Sequence, residues 1–302
     1  MRRFIHFLKS GFLEVGGLSG CFFWRGLERC LSIESLYAFA RAVCVGRALF
    51  NELWKRPAPP CQKPEWRNVD GSIRSRIRRR SRRYLDFLLE NFPDRLTEPQ
   101  WRSRCRLEGV AYLETARLAG RPVVLACFHF GQFYMLRKWL RGFGFPVAAF
   151  MGKPTQRQYR RNFLNQLSPF REVPLAFYPD QLRAVSEFLA AGNTLVMAVD
   201  SPVGKQIAVP FGQGWTFDMT AGAARLAARQ RADLILVSII NEGGWRYRMK
   251  FSAPVPGEQL QQEADWSRAY RRLLDEMMLD MKAYPEQFDL PKGWNPVRAT
   301  AS

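Results

Sequence analysis

Histidine is scarce in this chain, since only His6 and His129 occur among its 302 residues. Two histidines so far apart in sequence argue against a metal centre, because such a site needs several ligands close together. The six cysteines include no CxxC pair, which argues against a zinc site and against a disulfide framework. We interpret them as small buried hydrophobic side chains in a protein of a reducing compartment.

Long apolar runs are missing too, and no segment reaches the about 18 apolar residues that a transmembrane helix needs. The opening segment, residues 1–27, has a basic start, but Lys9, Glu14 and Arg25 interrupt its apolar stretch. This pattern argues against a cleaved signal peptide. It fits either an interfacial amphipathic anchor or an ordinary N-terminal core helix, and the sequence leaves both open. The GFGF segment at 142–145 lacks the spacing of a nucleotide-binding loop and indicates a turn.

Acidic residues are few relative to basic ones: 27 Asp and Glu against 46 Lys and Arg leave a net charge of +19. Such an excess implies an anionic partner, either nucleic acid or an anionic membrane surface. The densest positive charge lies at residues 74–83, where seven of ten residues are arginine. A helix cannot turn so many charges toward a core, so most of them should face outward. We expect them to contact anionic lipid headgroups in preference to nucleic acid.

From residue 106 onward, apolar runs of strand length alternate with segments of helical spacing. Strands are expected at 122–128, 146–151, 172–176, 194–199 and 233–240, and helices at 109–119, 131–142, 155–167, 180–191, 218–230 and 263–282. An extended piece is expected in GKQIAVPFG, and WRYRMKFS, after Gly243 and Gly244, should form an edge hairpin strand. This alternation predicts an α/β fold with a mixed, largely parallel sheet flanked by helices.

The strongest candidate site lies within residues 121–140, RPVVLACFHFGQFYMLRKWL. An apolar run from Val123 to Phe128 stops at His129, and helical spacing begins after Gly131. The pattern predicts a buried strand that feeds a helix, with His129 at the carboxyl end of the strand, where open α/β sheets bind ligands. A histidine there is either a structural residue or a general base, because imidazole titrates near neutral pH. Gly131 would let a substrate approach the backbone, and amides at the helix start could hold an oxyanion.

Several blocks carry a resemblance to a known family. The block His129-Phe-Gly131-Gln-Phe-Tyr134 resembles the His-x-Gly-Asn-Trp-Glu block of the bacterial lipid A late acyltransferases, the lauroyl and myristoyl transferases. The segment AAGNTLVMAVDSPVG, which contains Asp200, resembles a strand of that family that ends at an acidic site. IAVPFGQGWTF and YPEQF resemble two later blocks. The blocks follow the expected order and span about residues 70–290.

The resemblance implies a fold like that of the glycerol-phosphate acyltransferases, with no metal and no cofactor. It implies an O-acyltransferase that moves an acyl chain from acyl carrier protein or acyl-CoA to a hydroxyl of a glycolipid or lysolipid. The expected partners are that donor, an anionic lipid acceptor and a membrane surface, and no nucleic acid is expected. The expected location is the cytoplasmic face of the bacterial inner membrane, held peripherally or by an N-terminal anchor. Residues 1–70 would form a helical membrane-associating region, 71–290 the acyltransferase domain and 291–302 a tail.

The resemblance implies His129 as general base, but Tyr134 stands where the family has Asp or Glu. Three explanations follow: Tyr134 or Gln132 orients His129, Asp200 supplies the carboxylate, or the protein binds an acyl or lipid ligand without turnover. The expected catalytic residues are His129 and Tyr134. The expected substrate-binding residues are Gly131, Gln132, Lys153, Arg161 and Asp200, with Arg157, Arg160, Lys205 and Arg225 as further candidate contacts to phosphate or thioester.

Overall fold

The computed structural model describes residues 26–27, 30–53, 72–90, 96–152, 176–201, 204–211, 215–287 and 297–298. The chain divides into two compact units, one made of residues 1–56 with 76–85 and the other of residues 57–75 with 86–302. The expected domain boundaries near residues 70 and 290 stay a prediction. Within the described residues, no helix is both long and apolar enough to cross a bilayer.

The first unit contains helix α1, Ile33–Leu53, and most of helix α2, Ile73–Glu90. Small or apolar side chains four residues apart form the buried stripe of α1: Leu36, Ala40, Cys44 and Ala48. Other apolar side chains of α1 are exposed, among them Phe39, Val43, Phe50 and Leu53. The helix expected at the arginine-rich stretch is confirmed. Glu52 of α1 pairs with Arg76 at 3.1 Å and with Arg80.

The described part of the second unit contains ten strands: β1 (Cys105–Glu108), β2 (Val123–Cys127), β3 (Val147–Phe150), β4 (Ala176–Phe177), β5 (Thr194–Ala198), β6 (Gln206–Phe211), β7 (Trp215–Thr220), β8 (Asp233–Gly243), β9 (Arg246–Phe251) and β10 (Val297–Arg298). Seven of them form one sheet in the order β1-β9-β8-β2-β5-β3-β4. The five strands from β8 to β4 are mutually parallel, and β9 is antiparallel to β8. The other three form a smaller antiparallel sheet.

After α2, the described part of the second unit contains the helices α3 (Pro99–Arg102), α4 (Ala111–Leu118), α5 (Leu136–Gly142), α6 (Leu182–Ala190), α7 (Gly222–Gln230) and α8 (Glu263–Ala283). Short 3-10 turns occupy Phe133–Met135, Gly257–Gln259 and Pro285–Gln287. Every residue of β2 is buried, and so are the first nine of β8, since these strands lie inside the sheet and are covered on both faces. The predicted α/β class with a mixed, mostly parallel sheet is confirmed.

Three expected elements are corrected by the structure. The helix expected from residue 218 begins at Gly222, because Trp215–Thr220 forms strand β7 beside β6. The expected edge strand, β9, is not at the edge, since β1 pairs with it in parallel. The helix expected from residue 131 begins only at Leu136, after the 3-10 turn at Phe133–Met135. The helix expected at 155–167 lies outside the described residues.

Candidate active site

Parallel pairing of β2 with β5 brings His129 beside Asp200. The register pairs Cys127 with Ala198, so the residues two positions beyond each strand leave the sheet next to each other. The His129 Nδ1 atom lies 2.7 Å from Asp200 Oδ1. The His129 backbone amide donates to the other carboxylate oxygen, Oδ2, at 2.8 Å. One carboxylate therefore holds both the ring and the backbone of His129.

Burial determines which side chain of this pair can reach a substrate. The Asp200 side chain is 0% exposed, whereas that of His129 is 23% exposed. An ionised carboxylate only accepts hydrogen bonds, so the imidazole proton belongs on Nδ1 and Nε2 becomes the basic nitrogen. Phe128 and Phe130, the chain neighbours of His129, are buried, and the Phe133 ring meets the imidazole edge-on with centroids 4.4 Å apart. The arrangement suits a general base that takes a proton at Nε2.

The loop after His129 packs tightly onto β8. Gly131 has φ +61°, and a Cβ there would lie 1.8 Å from the Ile239 carbonyl oxygen. Its amide donates to the Gln287 carbonyl, and the Gln132 amide donates to the Ile239 carbonyl, both at 2.8 Å. The expectation that these amides hold an oxyanion is therefore not met in this geometry. The close backbone approach that needs Gly131 is to β8.

Two residues expected to bind substrate are turned into the interior. Gln132 is buried, and its amide nitrogen donates to the Asp86 carboxylate, away from His129. Asp200 is fully buried against His129, which suits an orienting acid better than a substrate contact. Among the three explanations for Tyr134, the geometry favours a carboxylate supplied by Asp200.

The remaining expected site residues fall into two groups. The Tyr134 ring packs on Phe133 with centroids 4.4 Å apart, and its expected catalytic role stays a prediction. Lys205 is exposed and pairs with Glu263, and Arg225 is exposed on α7. Lys153 and Arg161 lie outside the described residues, as do Arg157 and Arg160, and their expected contacts to substrate stay predictions.

A buried polar cluster near the site was not expected from the sequence. Asp86, on α2, is fully buried and accepts hydrogen bonds from Gln132, from Asn241 Nδ2 at 2.8 Å and from the Tyr247 hydroxyl at 2.8 Å. The sequence signal that could have identified it is a single acid within the apolar run from Tyr84 to Leu89. Such an acid either faces solvent or needs several buried donors.

Cys127, the last residue of β2, lies close to the pair. Burial raises the pKa of the Cys127 thiol, and the charge of Asp200 acts in the same direction. The thiol therefore stays protonated at neutral pH, and Cys127 is not a nucleophile. Cys105 is also buried and free, Cys44 is buried, and Cys30 is free and exposed. In the described part of the chain, no three His, Cys, Asp or Glu side chains lie together as a metal site.

The model of the bacterial lipid A biosynthesis acyltransferase family matches residues 88–290. No curated protein sequence matches the chain significantly. One solved structure that resembles it is the 1-acyl-sn-glycerophosphate (LPA) acyltransferase PlsC from Thermotoga maritima. That likeness has a TM-score of 0.39 and 15% identity, and it covers 83% of this chain and 95% of that one.

Proposed function

This chain belongs to the bacterial lipid A biosynthesis acyltransferase family, and on that premise we propose that it moves a fatty acyl chain from a thioester to a lipid hydroxyl. The donor is acyl carrier protein or acyl-CoA, and the acceptor is a glycolipid or lysolipid. The observation that carries the proposal is the His129–Asp200 pair at the carboxyl ends of β2 and β5. The pair supplies an oriented base in a chain that has Tyr134 where the family usually has an acid.

The reaction follows from the tautomer of His129. Asp200 holds the Nδ1 proton, so Nε2 accepts the proton of the acceptor hydroxyl as its oxygen attacks the thioester carbonyl. A carbon–oxygen bond forms and the carbon–sulfur bond breaks. The proton then passes from Nε2 to the departing thiolate, so the products are an ester and a free thiol. The negative charge that develops on the carbonyl oxygen requires a donor, and we assign that role to a basic side chain such as Arg161.

The charge distribution supports a membrane-surface location. The net charge of +19 favours an anionic lipid surface, an anionic acceptor and an acidic carrier protein. Helix α1 exposes Phe39, Val43 and Phe50, and helix α2 exposes Arg74, Arg78 and Arg83. Exposed apolar and basic side chains together are typical of helices that lie in the headgroup region. We propose that the protein lies on the cytoplasmic face of the bacterial inner membrane.

The proposal is tested by acyl transfer from acyl carrier protein and acyl-CoA donors to lipid acceptors, followed by mass spectrometry of the lipids. His129→Ala should abolish transfer. Asp200→Asn should lower turnover by roughly 10⁴-fold, because an amide favours the wrong imidazole tautomer. Glu187→Gln is the control, since Glu187 is exposed on α6 and pairs there with its helix neighbour Arg183.

Unchanged turnover in His129→Ala would contradict the mechanism. A wild-type protein that binds acyl donors but never transfers the chain would instead indicate a non-catalytic lipid-binding member of the family. Tyr134 at the position of the usual acid is the observation behind that alternative.

A further inference from the structure

Two sets of hydrogen bonds hold the loop after His129 from opposite sides. On the first side, the Gly131 amide donates to the backbone carbonyl of Gln287 at 2.8 Å. The Gln287 side chain then pairs with the backbone of Asn241: its Oε1 accepts from the amide and its Nε2 donates to the carbonyl, each at 2.9 Å. The side chain thus forms two hydrogen bonds to the end of β8, as a neighbouring strand would.

On the second side, Gln132 is bonded through its backbone and its side chain. Its amide donates to the Ile239 carbonyl at 2.8 Å, and its side-chain nitrogen donates to Asp86 Oδ2. The other Asp86 oxygen, Oδ1, accepts from the Asn241 side chain and from the Tyr247 hydroxyl, both at 2.8 Å. Both sides therefore meet at Asn241, whose backbone binds Gln287 and whose side chain binds Asp86.

The two sets of hydrogen bonds join into one closed circuit through four side chains, and all four are almost fully buried. Their exposed fractions are 0% for Asp86, 4% for Gln132, 5% for Asn241 and 8% for Gln287. Buried hydrogen bonds act in a low dielectric and are costly to leave unpaired, so such a circuit has one favoured arrangement. A well-packed apolar cluster can be at least as stabilising as a buried charged one. Stability alone therefore does not account for these polar residues.

We propose that Asp86, Gln132, Asn241 and Gln287 form a loop clamp whose task is to position His129 for the reaction. The proposal rests on the proposed function of His129 as general base. Within the clamp, Gln287 binds the Gly131 backbone amide and Asp86 binds the Gln132 side chain, only two and three residues beyond His129. These bonds fix where the imidazole meets Asp200. A displacement of about 1 Å at a reacting group costs roughly 100-fold in rate. The clamp residues are positioning residues, since none of them is exposed enough to contact the reacting atoms.

The main test variant is Gln132→Met, which keeps the length of the side chain and removes its bond to Asp86. Asp86→Asn is the conservative partner. Its oxygen can still accept from Asn241 and Tyr247, and its new amide can donate to Gln132 Oε1 once the Gln132 amide flips. In the wild-type protein, Gln132 Oε1 is buried and accepts no hydrogen bond from any described residue. The matched control is Asp233→Asn, because Asp233 is another buried carboxylate, bonded to Arg121 at 3.2 Å at the opposite end of β8.

Two readouts separate positioning from folding. The first is kcat and KM for acyl transfer. The second is the nitrogen NMR spectrum of protein labelled at histidine, which contains only two imidazoles, His6 and His129. His129→Ala assigns the signals, and the nitrogen shifts report which ring nitrogen carries the proton. The spectrum does not depend on substrate, so it tests the clamp even if the proposed reaction fails.

We expect Gln132→Met to lower kcat about 100-fold with a smaller change in KM, and to mix the tautomers of His129. Asp86→Asn should keep the wild-type tautomer and most of the activity. Asp233→Asn should leave the His129 signals and kcat unchanged. A folded Gln132→Met protein with wild-type His129 signals and kcat would overturn the proposal. If that variant does not fold, Gln287→Met breaks the other side of the clamp, and unchanged His129 signals there would overturn it equally.

Discussion

At the residue scale, the carboxylate that holds the His129 ring follows an adjacent strand. The family resemblance places a carboxylate five positions after the histidine, where this chain has Tyr134. Asp200 reaches the same imidazole because β2 and β5 are parallel and end in register. A carboxylate that is fully buried and bonded to both the ring and the amide of His129 needs no support from position 134. The tyrosine is therefore compatible with an active enzyme.

Gly131 provides a residue-scale prediction with an internal control. Gly131 and Gly120 share a left-handed backbone, with φ of +61° and +64°. A Cβ at Gly131 would overlap the Ile239 carbonyl, whereas a Cβ at Gly120 meets nothing within 4 Å. Gly120→Ala should lower the free energy of unfolding by about 1–2 kcal/mol, the usual cost of an alanine with left-handed backbone. Gly131→Ala should lower it by more than about 4 kcal/mol, because the clash adds to that strain.

Urea unfolding of the two variants beside the wild type measures this difference. Equal losses of stability would mean that the loop after His129 yields easily at Gly131, and the tight packing of that loop on β8 would then be wrong.

Candidate site residues next to a strand end could be identified from the sequence, whereas their partners could not. His129 and Asp200 both follow continuous apolar runs, and the family resemblance also pointed to both of them. Asp86 was missed because it sits on an arginine-rich helix whose charge dominates the pattern. Its donor Asn241 is 155 positions away in the sequence, and no periodicity reports a contact over such a distance.

At the element scale, strands buried on both faces were predictable and marginal strands were not. The runs in β2, β5 and β8 are continuously apolar because helices cover both faces of the sheet. Strand β1 was missed because it is four residues long, lies at the sheet edge and contains Arg106 and Glu108. Strand β7 was missed because the alanine-rich segment that follows it extended the helical pattern backward past Gly222.

Helix α1 provides the element-scale prediction. The side chains of Phe39 and Phe50 are 41% and 60% exposed. If α1 lies in the headgroup region, each phenylalanine contributes about 2 kcal/mol through burial of its ring. Replacing both by glutamate should weaken binding to anionic vesicles by at least about 100-fold, since each 1.4 kcal/mol is a factor of ten. Co-sedimentation with phosphatidylglycerol vesicles measures this binding.

Leu118→Glu is the matched control, because Leu118 is an exposed apolar residue on α4, outside the first unit. An equal loss of binding in that variant would assign the membrane contact to a different surface. Unchanged binding in the double variant would remove α1 from the proposed interface.

At the scale of the whole molecule, the order of helices and strands was predictable from the sequence, and the hydrogen bonds that join distant segments were not. The family identified from four short blocks is confirmed by the match over residues 88–290. The YPEQF block served there only as a sequence signature. The structure gives its glutamine, Gln287, a physical task, since it binds both the loop after His129 and β8. Local patterns thus identify the fold, and long-range hydrogen bonds between buried polar groups complete the site.

Three buried groups that ionise at high pH, namely Tyr270, Cys105 and Cys127, affect the stability of the whole molecule in alkaline solution. Burial raises the pKa of Tyr270, against the opposing effect of the hydrogen bond from the Ala224 amide. Burial also raises the pKa of Cys105 and Cys127, as does the nearby negative charge of Glu242 and Asp200 respectively. In the unfolded chain these groups lose their protons near about pH 8.5 for thiols and about pH 10 for phenols. Above those values the unfolded state binds fewer protons than the folded state, so stability falls as the pH rises.

Tyr270→Phe should flatten that fall above about pH 10, because it removes one group that ionises only in the unfolded chain. At pH 7 the same variant should be less stable by about 1–3 kcal/mol, because the Tyr270 hydroxyl donates to the Thr220 carbonyl at 2.8 Å and accepts from Ala224. Urea midpoints at pH 7, 9, 10 and 11 measure both effects.

Tyr112→Phe is the control, since the Tyr112 side chain is exposed and should leave the pH dependence as in the wild type. If Tyr270→Phe and wild type lose stability equally steeply above pH 10, the phenol already ionises in the folded protein, and its surroundings are looser than its hydrogen bonds to Thr220 and Ala224 imply.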